Sequence, residues 1–202
     1  MAPRAGKEDQ TAELIARWQS GDTAALPLLL HAIYGDLQRI AGSCLRGRGG
    51  DSLEPAALIH EAFLRLAGDR SPPVIRDKGH LLAFIAKVMQ RIVVDHIRER
   101  SSAKRGGGVP DLPLDDQLGA GERNIEQVLD IGTALARLAQ AHPEAAMVLE
   151  LRYYGGYELQ EIAELTGVSL TTVTRRQRAG QAWLARQMRP RHSSDILRKS
   201  GA

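Results

Sequence analysis

Apolar side chains recur at steps of three and four residues along most of this chain, and no stretch alternates convincingly between apolar and polar residues. The clearest run contains Leu26, Leu29, Leu30, Ile33, Leu37 and Ile40. Steps of three and four place side chains on one face of an α-helix, whereas a half-buried strand requires a period of two. The pattern therefore predicts an all-α fold.

Helix boundaries follow from this periodicity together with capping residues, prolines and glycines. The predicted helices cover about Thr11–Gln19, Asp22–Leu45, Pro55–Ala67, His80–Arg100, Asn124–Ala139, Pro143–Tyr154, Leu159–Leu165 and Ser169–Met188. Pro55 suits a first helical turn, where its missing N–H is tolerated. Gly180 lies inside the last predicted helix, and a helical glycine costs about 1 kcal/mol relative to alanine, so we expect a soft helix end there.

One segment differs sharply in composition from the rest. Residues 101–123 contain three consecutive glycines, two prolines and several acidic residues, with few large apolar side chains. Such a composition is typical of a flexible linker. The predicted architecture is two small helical domains, residues 1–100 and 124–190, joined by the linker 101–123 and followed by a polar tail, residues 191–202.

The composition excludes several classes of protein. Cys44 is the only cysteine, so neither an intrachain disulfide nor a cysteine-based zinc site can form, and no cofactor is expected. The first ten residues lack the apolar core of a signal peptide. No apolar run approaches the roughly 20 residues that span a bilayer. We therefore expect a cytoplasmic protein that does not interact with membranes.

The segment Leu159–Gln177 has the pattern of a helix-turn-helix. Ala163 is small enough to let a second helix cross closely, and Gly167 follows where a tight turn needs a permissive backbone. Ser169 can cap the second helix by accepting a backbone N–H. Val173 is expected to face the core. This pair of helices is predicted to bind DNA.

Positive charge is concentrated on the second helix of this motif. Ser169–Arg191 contains six arginines and no acidic residue, whereas the preceding helix carries glutamates. Hydroxyl and guanidinium groups at offsets of three, four and seven share one helix face and suit base edges and phosphates in a major groove. The predicted DNA contacts are Ser169, Thr171, Thr172, Thr174, Arg175, Arg176 and Arg178.

A second basic face is predicted on the helix His80–Arg100. Lys87, Arg91 and Arg98 lie on one outward side, and Asp95 is spaced to pair with Arg91. Taken alone, such a face is typical of an ordinary solvated surface.

Two longer sequence motifs lie on or near these predicted basic helices. The run Leu58-Ile59-His60-Glu61-Ala62-Phe63-Leu64-Arg65-Leu66 is followed by Val93-Val94-Asp95-His96-Ile97-Arg98, then by the predicted linker and the helix-turn-helix. In this order and spacing, the chain resembles the extracytoplasmic-function (ECF) sigma factors of bacterial RNA polymerase. The resemblance extends from about Glu13 to Leu184.

This resemblance implies a division of labour. The first domain would grip the clamp helices of the largest polymerase subunit and open the −10 element. The second would rest on the flap of the other large subunit and read the −35 element. The implied polymerase contacts are Glu61, Leu64 and Arg65. The implied −10 contacts are Arg70, Arg76 and Lys78, before the DNA-reading helix, and Lys87, Arg91 and Arg98 on it.

The same resemblance implies the binding partners: core RNA polymerase, promoter DNA and, as a further candidate, an anti-sigma factor. It also implies that the linker acids Asp111, Asp115 and Asp116 lie in a basic polymerase channel that later holds RNA.

Two other classes compete with this interpretation. An enzyme is disfavoured because His60-Glu61 begins like a zinc-protease helix but has Leu64 where the second histidine belongs, and the glycine-rich Arg46–Asp51 lacks a phosphate-loop lysine. No catalytic residue is predicted. A stand-alone helix-turn-helix regulator with a helical sensor domain is the alternative function. It would bind duplex DNA alone, usually as a dimer.

Overall fold

The structure of the protein, a computed structural model, describes residues 5–46, 53–68, 74–106 and 131–188, with side chains described for 10–46, 53–68, 74–99 and 131–188. All secondary structure in these ranges is helical. The N-terminal half contains α1 (Ala5–Gln19), α2 (Ala25–Ala32), α3 (Tyr34–Leu45), α4 (Pro55–Gly68) and α5 (Lys78–Gly106). The C-terminal half contains α6 (131–141), α7 (Pro143–Tyr153), α8 (Leu159–Thr166) and α9 (Leu170–Gln187). The all-α prediction is confirmed.

Helix α5 is the centre of the N-terminal half and packs against α1, α3 and α4. Its apolar residues recur at helical spacing, and Leu81, Ile85, Met89 and Ile92 are fully buried. Burying one such side chain stabilises a fold by roughly 1.5–3 kcal/mol. The outer side of α5, which carries Arg91 and Arg98, is left for solvent or a partner.

One predicted helix is divided in the structure. The periodic run from Asp22 to Leu45 forms α2 and α3, which are separated at Ile33. Ile33 is buried and its backbone, at φ −108° and ψ 16°, leaves the helical region. Gly35 follows within one turn, where its low helix propensity favours a break. Asp22 does not cap α2: it lies in the preceding turn, where its Oδ1 accepts the N–H of Ala24.

Helix α5 is longer than the sequence predicted. It continues through Gly106, into the segment predicted to be the linker. Residues 101–105 contain no proline or glycine, so nothing local ends the helix until the three consecutive glycines begin. The linker acids Asp111, Asp115 and Asp116, and the rest of the segment to residue 123, lie outside the described residues, as do Arg70 and the polar tail.

Helix α7 is the centre of the C-terminal half, and all of its residues from Ala145 to Leu151 are buried. Gly180 of α9 is also buried, and a Cβ atom there would lie 2.8 Å from Leu149 Cδ1. The absent side chain therefore allows α9 to approach α7 closely. α9 continues through Gly180 to Gln187, so the glycine marks a packing site inside the helix instead of its soft end.

The two halves share one hydrophobic core. Met147, Val148 and Leu151 of α7 and Ile162 of α8 belong to the same buried cluster as the apolar faces of α2 to α5. α5 packs against both α7 and α8. The boundary between the halves is thus a packed seam. Among the described helices, none has the length and apolarity that crossing a membrane requires.

Candidate nucleic-acid interface

The turn between α8 and α9 has the backbone geometry that the sequence predicted. Gly167 adopts a left-handed conformation at φ +68°, which favours glycine because it has no Cβ. Ser169 Oγ accepts the N–H of Thr172 at 3.2 Å and so caps α9. Val173 is fully buried and Ala163 is buried beside it in the core. These contacts fix the position and direction of the first turn of α9 relative to α8.

The side chains of α9 predicted to contact DNA do not all face the same way. Thr171, Arg175 and Arg178 are exposed and lie on one face, which we call the α9 face. Thr174 is half-buried, and its Oγ1 donates to the carbonyl of Leu170 at 2.8 Å. Thr172 is also half-buried, with its hydroxyl 3.0 Å from Ser169 Oγ.

Arg176 is directed away from the α9 face. Its Nη1 lies 3.1 Å from Glu144 Oε2 in the first turn of α7, and only 25% of its side chain is exposed. A carboxylate near a helix N-terminus is stabilised by the helix dipole. In this state Arg176 holds α9 to α7 and is not available to a ligand.

The basic residues of α5 lie at the seam between the halves. Lys87, Arg91 and Arg98 line one side of a cavity of about 370 Å³, whose other wall includes Leu135 of α6 and Glu150 of α7. Lys87 Nζ lies 3.9 Å from Glu150 Oε1, whereas Arg91 and Arg98 are exposed. We call these three cations the α5 face.

Two further predicted −10 contacts precede or begin α5, and both are ion-paired. Arg76 Nη2 lies 2.5 Å from Glu144 Oε1 and 2.6 Å from His80 Nε2. Lys78 Nζ lies 2.8 Å from Asp36 Oδ2 of α3. Arg70 lies outside the described residues.

The predicted polymerase contacts share an exposed surface of α4. Leu64 is 54% exposed. Arg65 pairs with two acidic residues. Its Nη2 lies 3.0 Å from Glu61 Oε1, and its Nη1 lies 3.3 Å from Asp95 Oδ2 of α5. The spacing of Asp95 in the sequence predicted a pair with Arg91. In the structure Asp95 pairs with Arg65 instead.

Sequence reasoning missed two acidic residues of α7 that organise this surface. Glu144 contacts Arg76 of the N-terminal half and Arg176 of α9 at once. Glu150 is buried, and burial raises its pKa to about 7, against a smaller opposing effect of Lys87. A single acidic residue inside the apolar run 145–151 was a usable signal for a buried carboxyl group. Nothing in the local sequence distinguishes Glu144.

We predict that Glu150→Gln stabilises the protein at high pH. The carboxyl has a pKa near 7 when folded and 4.5 when unfolded, so it is ionised in both states at pH 8, where the folded state bears the whole desolvation penalty. The penalty decreases as pH falls through 7 and disappears below about 4.5. Glutamine should raise the free energy of unfolding by about 2–3 kcal/mol at pH 8 and by less than about 1 kcal/mol at pH 5.

Urea unfolding of wild type and variant at both pH values measures this difference. Glu164→Gln, at an exposed position of α8, is the control and should change stability little at either pH. An equal effect of Glu150→Gln at pH 5 and pH 8 would contradict the assignment of a desolvated carboxyl.

The sequence of the chain matches the model of one protein family. The model described as "ECF sigma factor" matches residues 8–190, most of the chain. A comparison with curated proteins gave no match. The chain is therefore a sigma factor, one of the DNA-binding proteins that direct RNA polymerase in promoter-specific transcription initiation. Within that class, it belongs to the ECF sigma factor family.

The described residues contain no group of three or more histidine, cysteine or acidic side chains arranged to hold a metal ion. The α9 face and the α5 face present guanidinium, ammonium and hydroxyl groups, which suit binding to an acidic polymer.

Proposed function

We propose that the two halves read different promoter elements, the C-terminal half the −35 element and the N-terminal half the −10 element. The observation that carries the proposal is the α9 face, because its three exposed side chains begin at Thr171, in the first turn of a helix capped by Ser169. Guanidinium groups pair with guanine edges and phosphates, and a helix of this kind fits the major groove. In this proposal α8 and α9 form the helix-turn-helix, and the flap of the second large polymerase subunit supports them.

The −10 element is proposed to bind the α5 face. Lys87, Arg91 and Arg98 lie within about 40° of arc on the helix, because they are four and seven residues apart. Their cations can therefore contact one strand together. Arg76 and Lys78 are proposed to contact phosphates near the start of α5. For this, Arg76 must leave Glu144 and Lys78 must leave Asp36.

The exposed surface of α4 is proposed to contact the clamp helices of the largest polymerase subunit. Leu64 offers an apolar contact there, and the Glu61–Arg65 pair flanks it with charge. No residue is assigned a catalytic role, and a location in the cytoplasm with the polymerase is part of the proposal.

The proposal predicts polymerase dependence. Purified chain and core polymerase are incubated with a randomised promoter library, and the transcripts are sequenced. We expect transcripts that require the chain and start downstream of two conserved elements. The free chain should bind the selected promoters weakly, because Arg76 and Lys87, two of the proposed −10 contacts, are paired with Glu144 and Glu150.

Two results would contradict the proposal. One is the absence of transcripts that depend on the chain. The other is sequence-specific binding of promoter DNA by the isolated chain with nanomolar affinity at physiological salt, which would favour a stand-alone regulator.

A further inference from the structure

The cavity beside the α5 face has the composition of a small-ligand site. Its volume of about 370 Å³ lies in the range of roughly 300–1,000 Å³ that such sites occupy. Helices α5, α6 and α7 supply most of its walls. Its apolar and aromatic lining consists of Val94, Leu135, Ala136 and Tyr154. Such a lining suits a planar ring system, which packs against both apolar and aromatic groups.

Glu150 gives the cavity an acceptor that lacks a donor. Only 9% of its side chain is exposed, and no described residue donates a hydrogen bond to its Oε1. Lys87 Nζ lies 3.9 Å from this oxygen, which is beyond hydrogen-bonding distance. A buried polar atom without a partner is costly, and most such atoms in proteins are satisfied. A ligand in the cavity can supply the missing donor.

The cavity also carries positive charge on its solvent side. Arg91 and Arg98 line it and are exposed, and Lys87 is a third cation of the lining. Asp95 lines the cavity as well, but its carboxylate is paired with Arg65 at 3.3 Å. The exposed cations therefore suit an anionic group of a ligand. Guanidinium groups pair with phosphate through two parallel hydrogen bonds, so phosphate is the anion that fits them best.

We propose that this cavity binds a guanine nucleotide. The phosphate pairs with Arg91 and Arg98, and the purine ring packs against Leu135 and Tyr154. Glu150 accepts the N1–H and the 2-amino hydrogen of the base. The three parts of the nucleotide thus match the three parts of the lining: exposed cations, apolar and aromatic side chains, and a buried acceptor.

The hydrogen-bonding edge of the base is the reason for choosing guanine. Guanine presents two adjacent donors, which one carboxylate accepts together, and beside them the acceptor O6, which suits the ammonium group of Lys87. Adenine presents an unprotonated nitrogen to the same carboxylate, and uracil presents one N–H between two carbonyls. Hypoxanthine retains the N1–H and O6 but lacks the 2-amino group. A preference for guanine over hypoxanthine is therefore the chemical signature of Glu150.

The test is calorimetric titration of the full chain with guanosine, inosine and uridine monophosphates (GMP, IMP and UMP). We expect GMP to bind with a dissociation constant on the order of 10 µM, typical of a well-matched ligand of this size. IMP should bind about ten-fold more weakly, because it lacks one hydrogen bond to a charged group. UMP should bind more weakly still.

Glu150→Gln tests the acceptor directly. We expect it to reduce the preference for GMP over IMP from about ten-fold to less than about three-fold, because an uncharged amide oxygen accepts more weakly than a carboxylate. The variant is expected to be more stable than wild type at pH 8, so a lost preference there would not reflect unfolding. Glu164→Gln removes the same charge from an exposed position outside the cavity and should keep the wild-type preference.

Arg91→Ala combined with Arg98→Ala tests the phosphate contact. We expect GMP and IMP to lose affinity equally, by about ten-fold, while their ratio is unchanged. Guanosine, which has no phosphate, should bind the double variant as it binds wild type. Arg137→Ala combined with Arg186→Ala removes the same charge from exposed positions outside the cavity and should leave binding of all three ligands unchanged.

Three results would overturn the proposal. The first is no binding of GMP at millimolar concentration. The second is a preference for GMP over IMP that Glu150→Gln leaves intact. The third is tighter binding of a short thymidine strand that contains one guanine, in a manner that depends on Glu150, since the occupant would then be a nucleic-acid strand and not a free nucleotide. No promoter or polymerase is present, so these outcomes are independent of the proposed promoter contacts.

Discussion

Replacing Arg175 and Arg178 together with alanine is expected to reduce transcription by the reconstituted holoenzyme about 100-fold, at a promoter obtained from the library. Both side chains are exposed, and neither has an ion-pair partner among the described residues. A good contact between arginine and a base is worth roughly 1–3 kcal/mol, and each 1.4 kcal/mol corresponds to a factor of ten. Two such contacts account for the expected loss.

The matched control is Arg137→Ala combined with Arg186→Ala. It removes the same charge from exposed positions of the same half, away from the start of α9. Holoenzyme formation should be unchanged in both double variants. A second selection from the promoter library should then show relaxed preference in the upstream element only for the α9-face variant. Equal loss of transcription in the two double variants would mean that general charge, and not the α9 face, determines promoter binding.

The second large effect is expected from Lys87→Ala combined with Arg91→Ala, which should reduce open-complex formation about ten-fold, equivalent to about 1.4 kcal/mol. Among the residues that the structure describes, few aromatic rings near the α5 face are free to stack on unpaired bases. Phe84 of α5 is partly buried in the core, and Tyr154, which lines the cavity beside the α5 face, is also only partly exposed. Strand separation must therefore depend strongly on cations that hold the phosphates.

Permanganate reactivity of unpaired thymines measures the open complex directly. A template with the −10 region already unpaired should restore transcription by the double variant, because the lost contacts act during opening. Arg17→Ala, which removes a cation paired with Asp22 in the turn after α1, should behave as wild type. Unchanged open-complex formation in the double variant would remove Lys87 and Arg91 from the DNA surface.

Local sequence signals predicted most helices and the α8–α9 turn correctly. Ser169, Gly167 and Val173 act through contacts within a few residues, and spacing alone identifies such contacts. The continuation of α5 through Gly106 was missed because the following glycines made the whole segment resemble a linker. The break at Ile33 was missed because an apolar residue at a periodic position gives no warning of a change in helix direction.

The pairing of cations with acids could not have been predicted in this way. Arg76 and Glu144 are far apart in the sequence, and their contact depends on how α5 and α7 pack. Offsets of three, four and seven predicted a shared face for Thr171, Thr174, Arg175 and Arg178, of which Thr174 is half-buried. Arg176 was predicted to contact DNA as well, although it is not at one of these offsets. Arg176 follows Arg175 directly and is therefore turned by about 100° around the helix, toward Glu144 of α7.

Helix α5 also fixes the distance between the cations on its outer face. It runs without interruption from Lys78 to Gly106, and the cations of its outer face follow one another along the axis. At 1.5 Å per residue, Lys87 and Arg98 are separated by about 16 Å along that axis. This is the axial length of roughly five base pairs of B-form DNA. If the α5 face binds the −10 element as proposed, this fixed helix length limits the stretch of promoter that the face can contact at one time, whatever the base sequence there.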